Sequence, residues 1–211
     1  LVGSEMCIRD SQKVVEESPS PIIDYDLRNK MGEAAIKMAS LLKYESAGTV
    51  EFLFDEKTKE FWFLEVNTRL QVEHPVTEEV TGIDLVREQL KIANGDPLSI
   101  SQDDVEIIGS SIEVRLYSED PGNDFLPVTG KLIAFDPCEE PLVRWDVGVE
   151  SGSEITPNFD PMLAKIISYG EDRIEAANKL ALALEKSHFG GLKTNRDYLI
   201  AILRSEEFLK T

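Results

Sequence analysis

The residues best suited to chemistry lie in segment 63–75, which reads FLEVNTRLQVEHP. Its polar residues fall on every second position: Glu65, Asn67, Arg69, Gln71 and Glu73. Because side chains alternate across an extended strand, this spacing predicts one polar face and one apolar face. Carboxylates, amides and a guanidinium in one row indicate a face that binds a ligand. A merely solvated acidic face is the alternative.

The preceding residues predict a partner strand. Segments 49–54 (TVEFLF) and 61–67 (FWFLEVN) are aromatic and β-branched runs of the kind that form a hairpin. If their apolar residues share one side, Phe52 lies opposite Leu64. The whole segment 63–75 would then continue this hairpin as an extended strand.

The same register places Glu51 opposite Glu65 on the polar side. Facing carboxylates repel each other by up to about 1 kcal/mol, so we expect a bound cation between them. Oxygen ligands from Glu51, Glu65 and Asn67 suit Mg²⁺ or Mn²⁺, with phosphate oxygens and water completing the coordination. From the hairpin alone, this metal site and a wet acidic surface are equally good interpretations.

Composition limits the class of protein. The chain has 211 residues and a formal net charge of −18, from 40 acidic and 22 basic residues. This balance argues against nucleic acid or an anionic membrane as a partner, and no apolar run is long enough to span a bilayer. Cys7 and Cys138 form no metal or redox motif, which favours a reducing compartment, the cytoplasm or, in a eukaryote, the mitochondrial matrix.

The pattern along the chain predicts an α+β protein in two units. Residues 1–11 have no signal-peptide pattern and are interpreted as a foreign or junction segment. A first unit covers residues 12–100, with helices that begin after Asp26 and after Asp84. A second unit covers residues 107–211. It combines short strands with helices at 173–186 and 195–209, and its predicted strands are SIEVRLY, KLIAF, LVRWDVGV and LAKIISYG.

Beyond these patterns, the segment EFLFDEKTKEFWFLEVNTRLQVEHPVTEEVTGIDLVREQLKIANGDPLSI resembles the end of the nucleotide-binding domain of biotin carboxylases, which have the ATP-grasp fold. The resemblance continues through SIEVRLYSEDPGNDFLPVTGKL, DPMLAKIISYG and GLKTNRDYL. It implies the C-terminal part of an ATP-grasp domain over residues 12–100, followed by the biotin carboxylase C-terminal domain over residues 107–211. EVRLYSEDP, DFLPVTG and DPMLAK are most similar to acyl-CoA carboxylases such as methylcrotonoyl-CoA carboxylase.

The resemblance also implies roles at the phosphate end of the site. Glu51 and Glu65 match metal-binding carboxylates that also serve the nucleotide, and Asn67 matches a further ligand near the phosphates. Lys13 matches a lysine that contacts bicarbonate and the nucleotide phosphates. The sequence around Lys13 departs from the family, since Arg9-Asp10-Ser11 replaces a basic-basic-His run.

At the other end of the site, Arg69, Gln71 and the backbone of Val72 match the bicarbonate pocket, in which a guanidinium offers parallel donors to a planar anion. Glu73 matches the general base that takes the proton of bicarbonate. Arg115 matches the arginine that holds the ureido oxygen of biotin and stabilises its enolate.

Several of these residues have simpler interpretations. Arg115 shares a strand face with Glu113 and Tyr117, so an ordinary cross-strand ion pair is the alternative. His74 is interpreted as a structural histidine on the apolar side of the strand. Arg144 matches a position near the dimer contact of the family, although an exposed strand arginine explains it as well.

The function that the resemblance implies is ATP-dependent carboxylation of biotin by bicarbonate through carboxyphosphate. The implied cofactors and partners are Mg²⁺ or Mn²⁺, ATP, biotin on a carrier domain, a carboxyltransferase subunit and a second copy of the enzyme. The family's glycine-rich lid is not among residues 12–211, so we expect these 211 residues alone to be inactive. The alternatives are a non-catalytic divalent-metal module and another ATP-grasp ligase, such as a carbamoyl phosphate synthetase.

Overall fold

The computed structural model of the chain describes residues 5–9 and 12–210. Its helices are α1 (Tyr25–Leu42), α2 (His74–Thr81), α3 (Leu85–Ala93), α4 (Arg173–Lys186), α5 (Arg196–Arg204) and α6 (Glu206–Lys210). Its strands are β1 (Glu5–Arg9), β2 (Gln12–Ser18), β3 (Thr49–Asp55), β4 (Glu60–Asn67), β5 (Ser110–Tyr117), β6 (Glu119–Asp120), β7 (Leu126–Pro127), β8 (Gly130–Lys131), β9 (Ala134–Asp136), β10 (Arg144–Val147), β11 (Glu154–Ile155), β12 (Met162–Gly170) and β13 (His188–Gly190). The predicted α+β class is confirmed. Within the described residues, no helix has both the length and the apolar character needed to cross a bilayer.

An antiparallel sheet in the order β1-β2-β5-β12-β10 forms the centre of the fold. β2 comes from the first predicted unit and β5 from the second, so one sheet joins residues of both units. The predicted boundaries, 12–100 and 107–211, stay predictions. So does the foreign origin of residues 1–11, although β1 lies in that segment and pairs with β2.

One face of this sheet carries the hydrophobic core. Ile112, Val114 and Leu116 alternate along β5 and are fully buried, together with Leu180 and Leu184 of α4. Each such side chain contributes about 1.5–3 kcal/mol when it leaves water. The core therefore holds β5 firmly from one side, and the residues between these three point to the other face.

The other face of the sheet is polar. Glu16 of β2 and both Glu113 and Arg115 of β5 lie on it, and α2 packs across it with Val76 and Val80 fully buried. The placement of α2 brings the end of the hairpin segment next to β2 and β5. This face positions the candidate site.

The β3–β4 hairpin forms as predicted at its polar end, where Glu51 pairs with Glu65. The predicted pairing of Phe52 with Leu64 is wrong. A β-bulge between Glu51 and Phe52 brings Phe52 opposite Phe63 and leaves Leu64 as the extra residue of β4. The apolar side of the hairpin is also less buried than expected, since Phe63 and Leu64 are about half exposed.

The helices follow the predicted periodicity but differ at their ends. α1 begins after Asp24 and not after Asp26, because the Asp24 carboxylate accepts the backbone N–H of Leu27 at 2.9 Å. α3 begins after Asp84, as predicted. The helix predicted over 195–209 is divided at Ser205, whose extended backbone ends α5 and whose hydroxyl accepts the N–H of Phe208 in α6.

Candidate active site

The predicted extended strand over residues 63–75 is wrong beyond Asn67. β4 ends there, residues 68–73 form an irregular turn, and Glu73 is the N-cap residue of α2. Pro75 lies in the first helical turn, where its missing N–H costs nothing, and Gly82 ends the helix with a φ of 68°. These two residues are the sequence signal for α2 that the period-two pattern concealed.

The facing carboxylates of the hairpin share hydrogen-bond donors. Glu51 Oε1 accepts three hydrogen bonds: from Nζ of Lys13 at 2.7 Å, from the amide nitrogen of Asn67 at 2.9 Å and from that of Gln71 at 3.1 Å. Glu65 Oε1 accepts the same Asn67 amide nitrogen at 2.8 Å. An ammonium and two amides therefore relieve the repulsion that the sequence predicted a metal ion to relieve.

Glu73 lies between two cations. Its Oε1 accepts Nζ of Lys13 at 3.2 Å and its Oε2 accepts a guanidinium nitrogen of Arg115 at 3.0 Å. Arg115 also contacts Glu16 at 2.5 Å, so it pairs across elements and not with Glu113, its neighbour on the same face of β5. The turn before α2 thus brings the predicted base against the predicted biotin arginine.

Arg69 lies at the exposed rim of this cluster. Its guanidinium makes long hydrogen bonds, at 3.3 Å to the carbonyl oxygen of Leu70, at 3.4 Å to Oε1 of Gln71 and at 3.5 Å to Oδ1 of Asn67. A guanidinium carries five N–H donors in one plane. Arg69 can therefore offer a pair of donors to a planar anion while it keeps these weak contacts.

Lys165 is a residue of the cluster that the sequence analysis missed. Its Nζ donates to the carbonyl oxygen of Val72 at 2.9 Å and lies 3.3 Å from Asp146. The bond fixes the peptide group of Val72, which was predicted to line the bicarbonate pocket. Its signal was a single lysine inside the otherwise apolar segment LAKIISY.

The cations of the cluster keep their charge despite burial. Burial lowers the pKa of Lys13, but its hydrogen bond to Glu51 and the charge of Glu73 outweigh that effect and raise it overall. Burial likewise lowers the pKa of Arg115, but the nearby charges of Glu16, Tyr117 and Glu73 outweigh that effect and raise it overall. Two fixed positive charges therefore flank Glu73.

His74 and Arg144 make local contacts. Nδ1 of His74 is 2.8 Å from the carbonyl oxygen of Gln71, which supports the structural role, although the residue lies on a helix and not on a strand. Burial is the main cause that lowers its pKa. Arg144 donates to Asp146 and, at 2.8 Å, to Glu78 of α2, so its charge is paired within the chain.

The residues at the hairpin fit a divalent metal ion. No cluster of three His, Cys, Asp or Glu side chains that could hold a metal occurs among the residues that the structure describes. Glu51 and Glu65 nevertheless supply hard carboxylate oxygens on one face, and a half-turn of the Asn67 amide presents a third oxygen. The cluster opens to a cavity of about 470 Å³ lined in part by Glu51, Glu73 and Arg28, which leaves room for a ligand.

This fold and site define a class of protein: the carboxylate-bearing end of an ATP-grasp domain, followed by a second domain of short strands and helices. The family model "Carbamoyl-phosphate synthase L chain, ATP binding domain" matches residues 4–101, and "Biotin carboxylase C-terminal domain" matches residues 113–211. The chain belongs to the biotin carboxylase family. The alternative of a carbamoyl phosphate synthetase accounts only for the first match.

Known relatives agree with this assignment. Biotin carboxylase 2 of Bacillus subtilis is 48% identical over 95% of this chain and 45% of its own length. The alpha subunit of methylcrotonoyl-CoA carboxylase from Rattus norvegicus is 44% identical over 95% of this chain and 28% of its own length. The biotin carboxylase domain dimer of the Hydrogenobacter thermophilus 2-oxoglutarate carboxylase, solved with MgADP and bicarbonate, is 38% identical with a TM-score of 0.93. That comparison covers 96% of this chain and 45% of the solved one. The chain thus spans less than half the length of these relatives.

Proposed function

We propose that the full-length protein containing this chain carboxylates biotin with bicarbonate at the expense of ATP. The observation that carries the proposal is the position of Glu73, a buried carboxylate held between Lys13 and Arg115 beside the hairpin acids. It is supported by relatives that are named as biotin carboxylases and by a neighbour solved with MgADP and bicarbonate.

In the first step, the turn after β4 binds bicarbonate. Arg69 and Gln71 hold the planar anion, and the Glu73 carboxylate takes its proton. The resulting dianion attacks the γ-phosphorus of ATP, so that a P–O bond forms, ADP leaves and carboxyphosphate results. Lys13 lies 2.7 Å from Glu51 and 3.2 Å from Glu73, so its ammonium can neutralise charge on the transferring phosphoryl group.

In the second step, carboxyphosphate gives carbon dioxide and phosphate, and the phosphate removes the proton from a ureido nitrogen of biotin. Arg115 stabilises the negative charge that develops on the ureido oxygen. The nitrogen then bonds to the carbon of carbon dioxide. Arg115 suits this role because it is nine-tenths buried, and an oxyanion is bound more strongly away from water.

Glu51, Glu65 and Asn67 would hold Mg²⁺ or Mn²⁺, which neutralises the phosphates of ATP when bound. The side-chain oxygen of Asn67 would be the third ligand, and the hydrogen bonds from Lys13 and Gln71 to Glu51 would compete with the ion. The present hydrogen bonds keep both acids on one face of the hairpin and ready to bind.

We extend the proposal to the wider assembly. A biotin carrier domain and a carboxyltransferase subunit would receive the product, as the alpha-subunit name of the rat relative suggests. A homodimer is supported by the dimeric 2-oxoglutarate carboxylase domain. The relatives include a bacterial and a mitochondrial protein, in line with the predicted cytoplasm or mitochondrial matrix. The sequence identities to the different carboxylases are too similar to indicate which acyl-CoA is the final acceptor.

Replacing Glu73 tests the proposal. In the full-length protein, Glu73→Gln keeps the size of the side chain but removes the base, so bicarbonate-dependent ATP hydrolysis should fall by about 10²–10⁴-fold. Glu60→Gln removes a carboxylate from the exposed start of β4 and serves as the matched control, with activity unchanged. Full activity of Glu73→Gln would reassign the base, and a wild-type protein without biotin carboxylation would refute the function.

A further inference from the structure

Two buried carboxyl groups outside the site described above face each other across the central sheet. Glu16 of β2 pairs with Glu113 of β5 in the antiparallel ladder, and both side chains are fully buried. The helix α2, whose Val76 and Val80 are fully buried, packs against both strands. Among the described residues, neither carboxyl oxygen of Glu113 has a hydrogen-bond partner.

Glu16 reaches the candidate active site through Arg115. Its Oε1 lies 2.5 Å from the same guanidinium nitrogen that donates to Oε2 of Glu73 at 3.0 Å. The contact is an ion pair and not an aligned hydrogen bond. Arg115 is therefore held from the sheet by Glu16 and from the start of α2 by Glu73.

The opposed pair explains which carboxyl is charged. Two buried carboxylates this close cannot both ionise cheaply, so the pair keeps a proton. Burial and the charge of Glu16 raise the pKa of Glu113 well above its usual range. Burial also raises the pKa of Glu16, to about 7, against the opposing charge of Arg115. The contact with Arg115 favours ionisation of Glu16 over that of Glu113, whose carboxyl oxygens have no hydrogen-bond partner among the described residues.

We propose that Glu16 is a positioning residue, which fixes the guanidinium of Arg115 in the orientation that receives biotin. It does not touch the substrate; it acts through Arg115. A flexible guanidinium has several rotamers, and a buried ion pair with Glu16 selects one of them. The inference rests on the proposed function, since it takes biotin as the ligand of Arg115.

The chain offers a matched control in the neighbouring residue. Glu17 is also buried and also pairs with an arginine, Arg173 of α4, at 2.5 Å. It lies on the opposite face of β2, opposite Ile112, and does not contact Arg115. If Glu16 served only the stability of the sheet, Glu16→Gln and Glu17→Gln would have the same consequences.

The experiment compares two partial reactions of the full-length protein. In Glu16→Gln, kcat/KM for biotin should fall by about 10–100-fold, the effect of losing one charged contact, whereas bicarbonate-dependent ATP hydrolysis without biotin should change by less than about threefold. Glu17→Gln should lower the melting temperature and leave kcat/KM for biotin within about twofold. An equal loss in both partial reactions of Glu16→Gln, or no loss for biotin, would overturn the inference.

Two further variants distinguish a loss of positioning from a loss of folding. Glu16→Asp keeps the charge but shortens the reach, so it should impair biotin use less than Glu16→Gln does, and an Asp variant as impaired as the Gln variant contradicts the inference. In an Arg115→Lys background, adding Glu16→Gln should cause little further loss, because the two residues act as a unit. Fully additive losses contradict positioning through Arg115. A wild-type full-length protein that does not carboxylate biotin, by contrast, refutes the proposed function itself.

Discussion

At the scale of single residues, the polar side chains of segment 63–75 lie close together, but not because they share one face of a strand. Alternation in 63–75 suggested a flat polar strand, but a turn and the start of α2 bring Gln71 and Glu73 back toward Glu51. The Glu51–Glu65 pair was predicted correctly, although the Phe52–Leu64 pairing from which it was inferred does not form, because a β-bulge separates the two positions. The contact of Lys165 with Val72 was not, since it joins residues 93 positions apart and depends on tertiary packing.

Lys165 provides a residue-scale prediction. Lys165→Met keeps the length of the side chain but frees the carbonyl of Val72, so the turn proposed to bind bicarbonate loses a charged hydrogen bond. We expect the KM for bicarbonate in the full-length protein to rise by about tenfold, the effect of about 1.5 kcal/mol, with the KM for biotin little changed. Lys179→Met, which removes an ion pair with Glu175 on α4, is the control. An unchanged KM for bicarbonate would show that the turn holds its shape without Lys165.

At the scale of elements, the predicted strands SIEVRLY and LAKIISYG and the predicted helix 173–186 match β5, β12 and α4. The eight-residue helix α2 was missed because it is too short to show a helical period, and only its Pro75 and Gly82 mark it. Side chains that hydrogen-bond to the backbone of a strand leave no periodic signal in the sequence either.

Asn195 has such a side chain. It is fully buried, donates its amide to the carbonyl of Arg115 at 3.0 Å and accepts the N–H of Tyr117 at 2.9 Å. It thus bonds β5 as a neighbouring strand would. We predict that Asn195→Ala lowers the free energy of unfolding by about 3 kcal/mol, because it leaves two backbone groups of β5 unpaired.

Denaturant unfolding of the full-length protein checks the Asn195→Ala prediction. Asn178→Ala is the control, since Asn178 lies on the exposed side of α4, where it accepts from Arg204. The control should change stability by less than about 0.5 kcal/mol. Equal midpoints for the two variants would contradict the role given to Asn195.

At the scale of the whole molecule, a net charge of −18 disfavours the proposed anionic ligands, and a local cluster of cations compensates for it. Lys13, Arg69, Arg115 and Lys165 come from four separate segments and meet around one turn. Composition argues against a general basic surface that binds polyanions. It could not indicate where the cations meet, because that depends on the packing of β2, β5 and β12 against α2.

The buried acids make stability depend on pH. The pKa of Glu16 is raised from 4.5 to about 7 in the folded state, chiefly by burial, and that of Glu113 is raised well above its usual range. Between about pH 4.5 and 7 the folded state keeps protons that the unfolded state has lost, so the contribution of these two acids to the free energy of unfolding falls as the pH rises. Below about pH 4.5 this contribution is complete.

Glu113→Gln should weaken this dependence, because an amide replaces the protonated acid and has no proton to lose. Melting temperatures of the full-length protein at about pH 5 and about pH 7.5 measure the effect, which should be a smaller decrease in Glu113→Gln than in the wild type. Glu60→Gln should behave like the wild type, since Glu60 is exposed. Parallel decreases in all three proteins would exclude Glu113 as a source of the pH dependence.

Strand β2 links both ends of the site within four residues, since Lys13 contacts the hairpin acids and Glu16 contacts Arg115. Insertion of one residue between them would rotate Glu16 toward the aliphatic interior and Val15 toward the arginine. The spacing of this short stretch is therefore a fixed length in the design of chimaeric carboxylases. A chimaera should therefore take β2 and β5 from the same parent enzyme.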